Sequence, residues 1–254
     1  MFFIFCLFHN AIVVIINNLN TVIFQACVYR MENVLDSKKV KGYGSEAGAS
    51  VVGIASADDF SLALEGFRPS DVLENCRSVI VFGSPFPQEA ILGDPDGYID
   101  VRNAMSNKMN DIAKNVAKRI RGDGYKAITV NGLSGKWVNG ITYGAISLKH
   151  AAELAGIGRI GRNYLLISPE YGTLLWLSAV VTDAALTPDE KISYSFCDGC
   201  SKCVDACPSK ALDDPSSFAK KKCTGTMFKM VNKEWKILCF LCRKVCPHRF
   251  GRTV

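Results

Sequence analysis

The longest regular pattern of apolar and polar positions in the chain runs from residue 98 to residue 121. Apolar side chains recur there every three or four positions and charged side chains occupy the opposite face, as in an amphipathic helix. The apolar positions are Val101, Met105, Ile112, Val116 and Ile120. Glycine follows in Gly122–Gly124, which is a common end to a helix. The pattern therefore predicts one long helix with a single buried face.

Shorter patterns around this helix alternate between helix and strand. The predicted strands are Val51–Ala55, Ser78–Phe82, Lys126–Val130, Asn163–Ser168 and Thr173–Thr182. The other predicted helices are 32–47, Ser56–Glu65 and Ala145–Ala155. Loops are expected at 83–97 and 131–141, and a turn at Pro169–Gly172 is expected to join the last two strands as a hairpin. The alternation predicts an α/β domain over residues 31–190.

Residues 1–30 have a different character. No formal charge occurs from Phe2 to Tyr29, and asparagines interrupt the apolar runs, which are shorter than the about 20 residues of a membrane helix. Two hypotheses stay open: an apolar extension upstream of a natural start at Met31, or a membrane anchor. The residues that follow are basic: Arg30, Lys38, Lys39 and Lys41. An anchor would therefore leave the rest of the chain in the cytoplasm, and both hypotheses predict a cytoplasmic protein.

Cysteine spacing distinguishes the last part of the chain. Cys197–Pro208 has the spacing C-x2-C-x2-C-x3-C-P, by which bacterial-type ferredoxins hold cubane iron–sulfur clusters. An imperfect copy follows in Cys239–Pro247, with the spacing C-x2-C-x3-C-P, and its first cysteine, Cys223, lies sixteen positions before Cys239. Two copies of one short unit indicate an internal repeat. The spacing predicts a small ferredoxin-type domain over residues 191–254 with two [4Fe-4S] clusters.

The ligands can be assigned from the reach of each loop. A tight C-x2-C-x2-C loop supplies three ligands to one cluster, and the fourth cysteine of the run ligates the other cluster. The ligands expected for the first cluster are Cys197, Cys200, Cys203 and Cys246. The ligands expected for the second cluster are Cys207, Cys223, Cys239 and Cys242. Structural zinc would favour two separated C-x2-C pairs, and a disulfide framework would suit a short secreted chain, so both are weaker hypotheses.

Charge limits the classes of partner. The formal net charge is +6. Two oxidised cubanes with their thiolates, at about −2 each, would bring it to about +2, so charge alone gives no reason to expect nucleic acid. Basic residues are frequent in the cluster domain, and they either form a solvated face or dock an acidic electron donor such as flavodoxin or ferredoxin.

A further stretch carries a resemblance to a known family. Residues 150–172 read HAAELAGIGRIGRNYLLISPEYG, followed by Val181–Asp183 and the cysteine run. With the displaced Cys223, these motifs resemble the epoxyqueuosine reductase family over roughly Met31 to Pro247. The resemblance implies a nitroreductase-related α/β domain that binds cobalamin and a two-cluster module that feeds it low-potential electrons. Respiratory reductive dehalogenases use a similar pairing. Flavin is the alternative cofactor, because the implied α/β domain is related to the nitroreductase fold.

The resemblance also implies site residues. Counting back from the glycine motif, Gly156–Gly161, the family's catalytic aspartate falls at Thr142, whose hydroxyl is a poor proton donor. The adjacent Tyr143, a phenol with a pKa of about 10, is the catalytic candidate, although it could simply pack. Thr142, Leu166 and Leu177 fall at cobalamin-contacting positions, or the two leucines are ordinary core residues. The glycine turn is followed by three residues that are expected to meet cofactor phosphate or amide groups: Arg162, Asn163 and Tyr164.

Two functions remain open at this point. The first is an iron–sulfur oxidoreductase that passes electrons from two clusters to a cofactor or substrate in the α/β domain. The alternative is a non-enzymatic ferredoxin-like electron-transfer protein that docks a redox partner. The chain ends soon after the clusters, at Val254, so we expect a short member of the family without its C-terminal helical repeat region. The substrate expected is therefore a small molecule or a modified nucleoside, and nucleic acid is not expected.

Overall fold

The computed structural model describes residues 5–8, 11–14, 35–93, 97–132, 135–138, 141–214 and 216–251. The chain divides into two compact units, Met1–Leu35 and Asp36–Val254. The boundary predicted at residue 190 lies inside the second unit and stays a prediction. No helix in the described part of the chain combines the length and the apolar composition that a membrane span requires.

Apart from Leu35, the first unit is described only at one hairpin, in which β1 (Phe5–Phe8) pairs antiparallel with β2 (Ala11–Val14). Most of the segment expected to be an extension or an anchor lies outside the described residues, and both hypotheses about it remain predictions.

The described helices of the second unit are α1 Ser37–Glu46, α2 Pro69–Val72, α3 Gln88–Leu92, α4 Tyr98–Gly122, α5 Leu148–Leu154, α6 Lys202–Asp205, α7 Lys220–Met227 and α8 Leu241–Lys244, with a 3-10 turn at Ala57–Phe60. Its described strands are β3 Val51–Ser56, β4 Ser78–Pro85, β5 Ala127–Val130, β6 Lys136–Val138, β7 Ile141–Tyr143, β8 Arg159–Ile160, β9 Leu166–Ile167, β10 Leu175–Thr182, β11 Phe228–Val231 and β12 Glu234–Ile237.

A four-stranded antiparallel sheet organises the α/β part, in the order β3-β4-β10-β5. Both faces are covered, so successive side chains of β4 are buried on alternate sides. Val79 and Val81 join a core cluster with α5, whereas Phe82 meets α1. Gly44 allows this approach, since a Cβ there would lie 2.6 Å from Cγ2 of Val52. Burial on both faces explains why β4 reads as a continuous apolar run.

Helix α4 confirms the strongest sequence pattern. Among the predicted apolar positions, Ile112, Val116 and Ile120 are buried. Ser178 of β10 donates a hydrogen bond of 2.7 Å to the carbonyl of Met109 and so ties the helix to the sheet.

Three local predictions are wrong. The helix expected over Ser56–Glu65 is reduced to a 3-10 turn, because Leu62 and Leu64 are 96% and 69% exposed and provide no buried face. The strand expected from Asn163 shrinks to β9, since Tyr164 adopts a φ of 54°. The expected hairpin of the last two strands does not form as a ladder, because β10 pairs with β4 and β5.

The two predicted loops contain structure that local patterns did not reveal. Strand β4 continues to Pro85 and α3 follows it, with Ile91 fully buried. The second loop contains β6, which pairs with β7 as a separate two-stranded sheet. Short elements of this kind are decided by tertiary contacts more than by their own propensities.

Candidate functional site

Four thiols gather around the first cysteine run. Cys197 and Cys200 lie on the loop that leads into α6, Cys203 lies in α6 itself, and Cys246 follows α8. Burial raises the pKa of the Cys203 thiol, and the Cys197 and Cys200 thiols raise it further. Burial also raises the pKa of Cys246, which feels the Cys197, Cys203 and Cys200 thiols in turn. These four are the residues predicted for the first cluster.

The other four predicted ligands form a second group. Burial raises the pKa of Cys223, with further contributions from the Cys207 and Cys239 thiols. Burial likewise raises the pKa of Cys242 to about 12, and among its neighbours are the Cys223 and Cys239 thiols. Burial disfavours the Cys207 thiolate, yet hydrogen bonds led by that from Ser209 lower its pKa. Because cluster ligands bind as thiolates, iron binding would release protons from most of these groups.

The two groups share one small core. Cys203, Cys207, Cys223 and Cys242 belong to one apolar cluster, and the Cys203 thiol acts on the pKa of Cys242. The eight predicted ligands are free thiols. No three His, Cys, Asp or Glu side chains of the described residues converge on a single-ion site. A cubane needs a wider cage than one ion, because four irons stand between its thiolates. The ligand assignment itself stays a prediction.

The glycine turn before β9 holds the first cysteine loop. The amide of Arg162 lies 3.4 Å from the sulfur of Cys197, and its guanidinium donates to the Cys200 carbonyl at 3.0 Å. Asn163, which is buried, donates to the Cys242 carbonyl at 3.4 Å. Gly161 permits this approach, since a Cβ there would lie 3.2 Å from the Cys197 sulfur. Arg162 and Asn163, expected at a cofactor, contact cysteine loops here.

Lys149 was not singled out as a site residue from the sequence. Burial lowers its pKa to about 8; the charges of Lys220 and Arg243 lower it further, while the Cys223 and Cys242 thiols raise it. Its ammonium donates to the carbonyl of Tyr164. Tyr164 is also placed in the thiol core and stacks on Phe218, with ring centroids 4.9 Å apart. The helical pattern around Lys149 gave no signal of this, because its neighbours come from distant segments.

Thr142 and Tyr143 lie on β7, within reach of the segment that contains both thiol groups, residues 197–251, which we call the cysteine module. The Tyr143 ring packs on Phe67, with centroids 5.4 Å apart. Lys220 of α7 stands 4.1 Å from the centroid of the Tyr143 ring and donates to the Thr142 carbonyl at 2.7 Å. The structure therefore brings the catalytic candidate into contact with the helix that carries Cys223.

The predicted cobalamin contacts fit that cofactor unequally. The Leu166 side chain is buried in the core and its backbone pairs with Ile160. The Leu177 side chain packs against the same core, but its carbonyl faces Gly132, beyond the point where β10 pairs with β5. Thr142 is exposed and its carbonyl accepts from Lys220. Of the three, the Leu177 carbonyl is the backbone group that lies past the end of a strand ladder, and the cobalamin contacts stay predictions.

A surface cavity of about 360 Å³ lies elsewhere in the described part of the chain. Its lining includes Asp58, Arg68 and Cys76 but none of the predicted site residues. Burial raises the pKa of Cys76 to about 11, as for an inert core thiol.

Comparisons with known proteins bear on the first cysteine run and on the fold. Residues 190–213 match the family described as 4Fe-4S binding domain, so the chain contains a [4Fe-4S]-binding segment. An epoxyqueuosine reductase from Lactococcus garvieae is 27% identical over 210 residues, which are 74% of this chain and 56% of that protein. The chain therefore spans little more than half of this relative.

Two solved structures share the fold. An epoxyqueuosine reductase bound to an epoxyqueuosine-modified tRNA stem loop superimposes with a TM-score of 0.60 and 20% identity, over 87% of this chain and 66% of that one. A reductive dehalogenase described in connection with B12-dependent dehalogenation superimposes with a TM-score of 0.65 and 22% identity, over 85% of this chain and 32% of that one. The α/β part followed by a ferredoxin-type segment is thus an architecture that occurs in both groups.

Proposed function

Because this chain is a member of the epoxyqueuosine reductase-like family, we propose that it is an iron–sulfur oxidoreductase. Two [4Fe-4S] clusters, held by the two groups of four thiols, pass low-potential electrons to an acceptor in the α/β domain. The observation that carries the proposal is the contact of the cysteine module with β7: Lys220 touches both Thr142 and Tyr143. The helix that carries the cluster ligand Cys223 is therefore in contact with the strand that carries the candidate proton donor.

Cobalamin is the acceptor of this proposal and flavin is the alternative. Support comes from the B12-dependent dehalogenase with the same fold and from the Leu177 carbonyl beyond the end of the β5 ladder. When bound, cobalamin would supply a low-potential metal-centred reductant. Leu177 would hold it through its carbonyl and Thr142 through its exposed side chain.

The chain's own residues would manage the proton. A reduction of this type consumes one proton for each bond that is made to hydrogen, and a positioned acid accelerates that step. The phenol of Tyr143 holds such a proton, and both Phe67 and Lys220 contact its ring. Tyr143 is therefore the residue we assign as proton donor, one position after Thr142, where the resemblance places the family's aspartate.

The substrate class follows from the relatives. Their name and the tRNA-bound structure concern a modified nucleoside, and we extend that class to this chain, with a small molecule as the other possibility. An acidic electron donor such as flavodoxin or ferredoxin supplies the electrons. A cytoplasmic location suits this chemistry, because reduced clusters and free thiols persist in a reducing compartment.

Anaerobic purification followed by metal and cofactor analysis tests the proposal. We expect about eight irons per chain, cobalt or flavin near one equivalent after incubation with each cofactor, and reductive turnover with a chemical reductant. About eight irons with neither cofactor bound and no turnover would overturn the enzymatic proposal and leave the electron-transfer protein. About four irons would contradict the two-cluster assignment.

A further inference from the structure

The strand that carries Tyr143 has little stability of its own. Strands β6 and β7 contribute three residues each to a sheet that is separate from the four-stranded sheet. Isolated two-stranded hairpins are marginal in water, so tertiary contacts must set their position. The contacts described for Thr142 and Tyr143 come from Phe67, from the close approach of Gly135, and from Lys220.

Lys220 makes two of these contacts with a single ammonium group. It donates 2.7 Å to the Thr142 carbonyl and lies 4.1 Å from the centre of the Tyr143 ring. Burial lowers its pKa, as expected for a cation enclosed between two segments. A charged hydrogen bond combined with a cation–π contact is a stronger restraint than a typical surface contact.

Helix α7, which bears Lys220, has few features of its own that stabilise it. None of its residues is buried, and Ala219 provides no side-chain cap. Its first turn consists of Lys220, Lys221 and Lys222, whose charges oppose the positive end of the helix dipole. A helix of eight residues is too short to be stable alone. Something outside the helix must therefore hold it.

Met227 packs against the core cluster of Phe86 and Tyr98 at the end of the helix, and Cys223 is the residue that can hold the turn next to Lys220. It lies three positions after Lys220, on the same side of the helix, and belongs to the second thiol group. Ligation of an iron by Cys223 would fix α7, and α7 would then present Lys220 to β7. Without the second cluster, the helix loses its anchor at the Lys220 end, and the Lys220 ammonium is no longer held against β7.

We infer that occupancy of the second cluster sets the position of Tyr143 through Lys220, which acts as a positioning residue. The inference rests on the proposed second-cluster ligands, and it adds a link between cluster assembly and the candidate proton donor. A chain that lacks the second cluster would keep Tyr143 away from its working position. The proton donor would thus reach its working position only when both clusters are present.

Amide hydrogen exchange at Thr142 and Tyr143 in the anaerobically loaded protein tests the link. Five variants are compared with the parent: K220M, K220R, K221M, C223S and C200S. K220M should accelerate exchange at these amides about tenfold with unchanged iron, and K220R should restore most of the protection. K221M removes the same charge from the next, exposed position and should match the parent. C223S should lose one cluster and accelerate exchange as K220M does.

The comparison separates the link from general loosening. Amides of β4 and β10 should keep their protection in every variant, and C200S, which removes a first-cluster ligand, should disturb Thr142 and Tyr143 less than C223S. Parent-like exchange in K220M, or parent-like exchange in C223S after loss of a cluster, would overturn the inference. Turnover gives a second readout: K220M should lower kcat with little change in KM. A failure of the protein to bind cobalamin would leave the exchange result standing and would count only against the proposed function.

Discussion

Individual residues of the site are defined by the groups around them more than by their own type. Tyr143 is a partly buried phenol between Phe67 and Lys220. Lys149 follows a helical pattern typical of solvated lysines, but it is enclosed beside the second thiol group. The chemistry of both residues depends on contacts with segments that are distant in sequence.

Replacement of Tyr143 by Phe removes the phenolic proton and keeps the ring. We expect turnover to fall roughly 10²–10⁴-fold, as for loss of a general acid, while iron and cofactor contents hold. Tyr125→Phe, at the end of α4, is the matched control and should leave turnover unchanged. The measurement is reductive turnover at full cofactor occupancy, and an unchanged rate in Tyr143→Phe would exclude the phenol as the acid.

Gly161 lies where the α/β part packs against the first cysteine loop. In Gly161→Ala, the new Cβ would lie 2.6 Å from Cδ1 of Ile167 and 3.2 Å from the Cys197 sulfur. We expect a loss of about 1–3 kcal/mol in stability and a lower yield of loaded first cluster. Gly122→Ala has open space around its Cβ and serves as the control in the same denaturation and iron assays. Equal stability and iron in both variants would contradict the close approach.

At the scale of elements, the cysteine module is held by loops and very short helices. Helices α6 and α8 have four residues each, and the shared core around the thiols is small. Such a segment buries too little apolar surface to be stable without additional links, and metal ligation supplies them.

Cys200→Ser should therefore remove one cluster and loosen the module. We expect the iron content to fall from about eight to about four per chain and the thermal midpoint to drop by several degrees. Cys76→Ser, which changes a cysteine outside both thiol groups, should keep all the iron. The check is iron analysis with a thermal melt under anaerobic conditions. Full iron in Cys200→Ser would show that the first group is assigned wrongly.

At the scale of the whole molecule, charge is unevenly distributed over the cysteine module. The segment 220–251 contains a single acidic residue, Glu234. It has nine Lys or Arg residues: Lys220, Lys221, Lys222, Lys229, Lys233, Lys236, Arg243, Lys244 and Arg249. The preceding stretch 197–214 is acidic, with four Asp and two Lys residues. An acidic electron donor would be steered to the basic half.

Neutralising two exposed lysines of that half tests the steering. The double variant Lys229→Gln and Lys233→Gln should lower kcat/KM for reduced flavodoxin or ferredoxin about threefold to tenfold at low ionic strength, with the difference disappearing at high salt. Lys108→Gln with Lys118→Gln, on the exposed face of α4, removes the same charge elsewhere and should have a smaller effect. Equal losses in the two pairs would indicate a net-charge effect and contradict a docking face.

Features that depend on consecutive residues were determined by the sequence itself. The long helix α4 and the buried strand β4 follow from the period of their apolar positions, and the structure confirms both. The cysteine spacing predicts a cubane-binding loop, and the match of residues 190–213 to a 4Fe-4S binding domain agrees with it. Spacing and period act over a few residues, so the chain alone is sufficient to reveal them.

Features that depend on residues far apart were decided only by the tertiary structure. Strand β10 pairs with β4 and β5 and not with the neighbouring β9, because this pairing buries β10 inside the sheet. Lys220 meets Tyr143 across 77 positions, and Lys149 approaches the thiols of Cys223 and Cys242. No local pattern distinguishes such a lysine from a solvated one, since the burial and the pKa of its ammonium group depend on which distant segments fold against it. The cysteine motif was therefore readable from the sequence, whereas the contacts of Tyr143 required the fold.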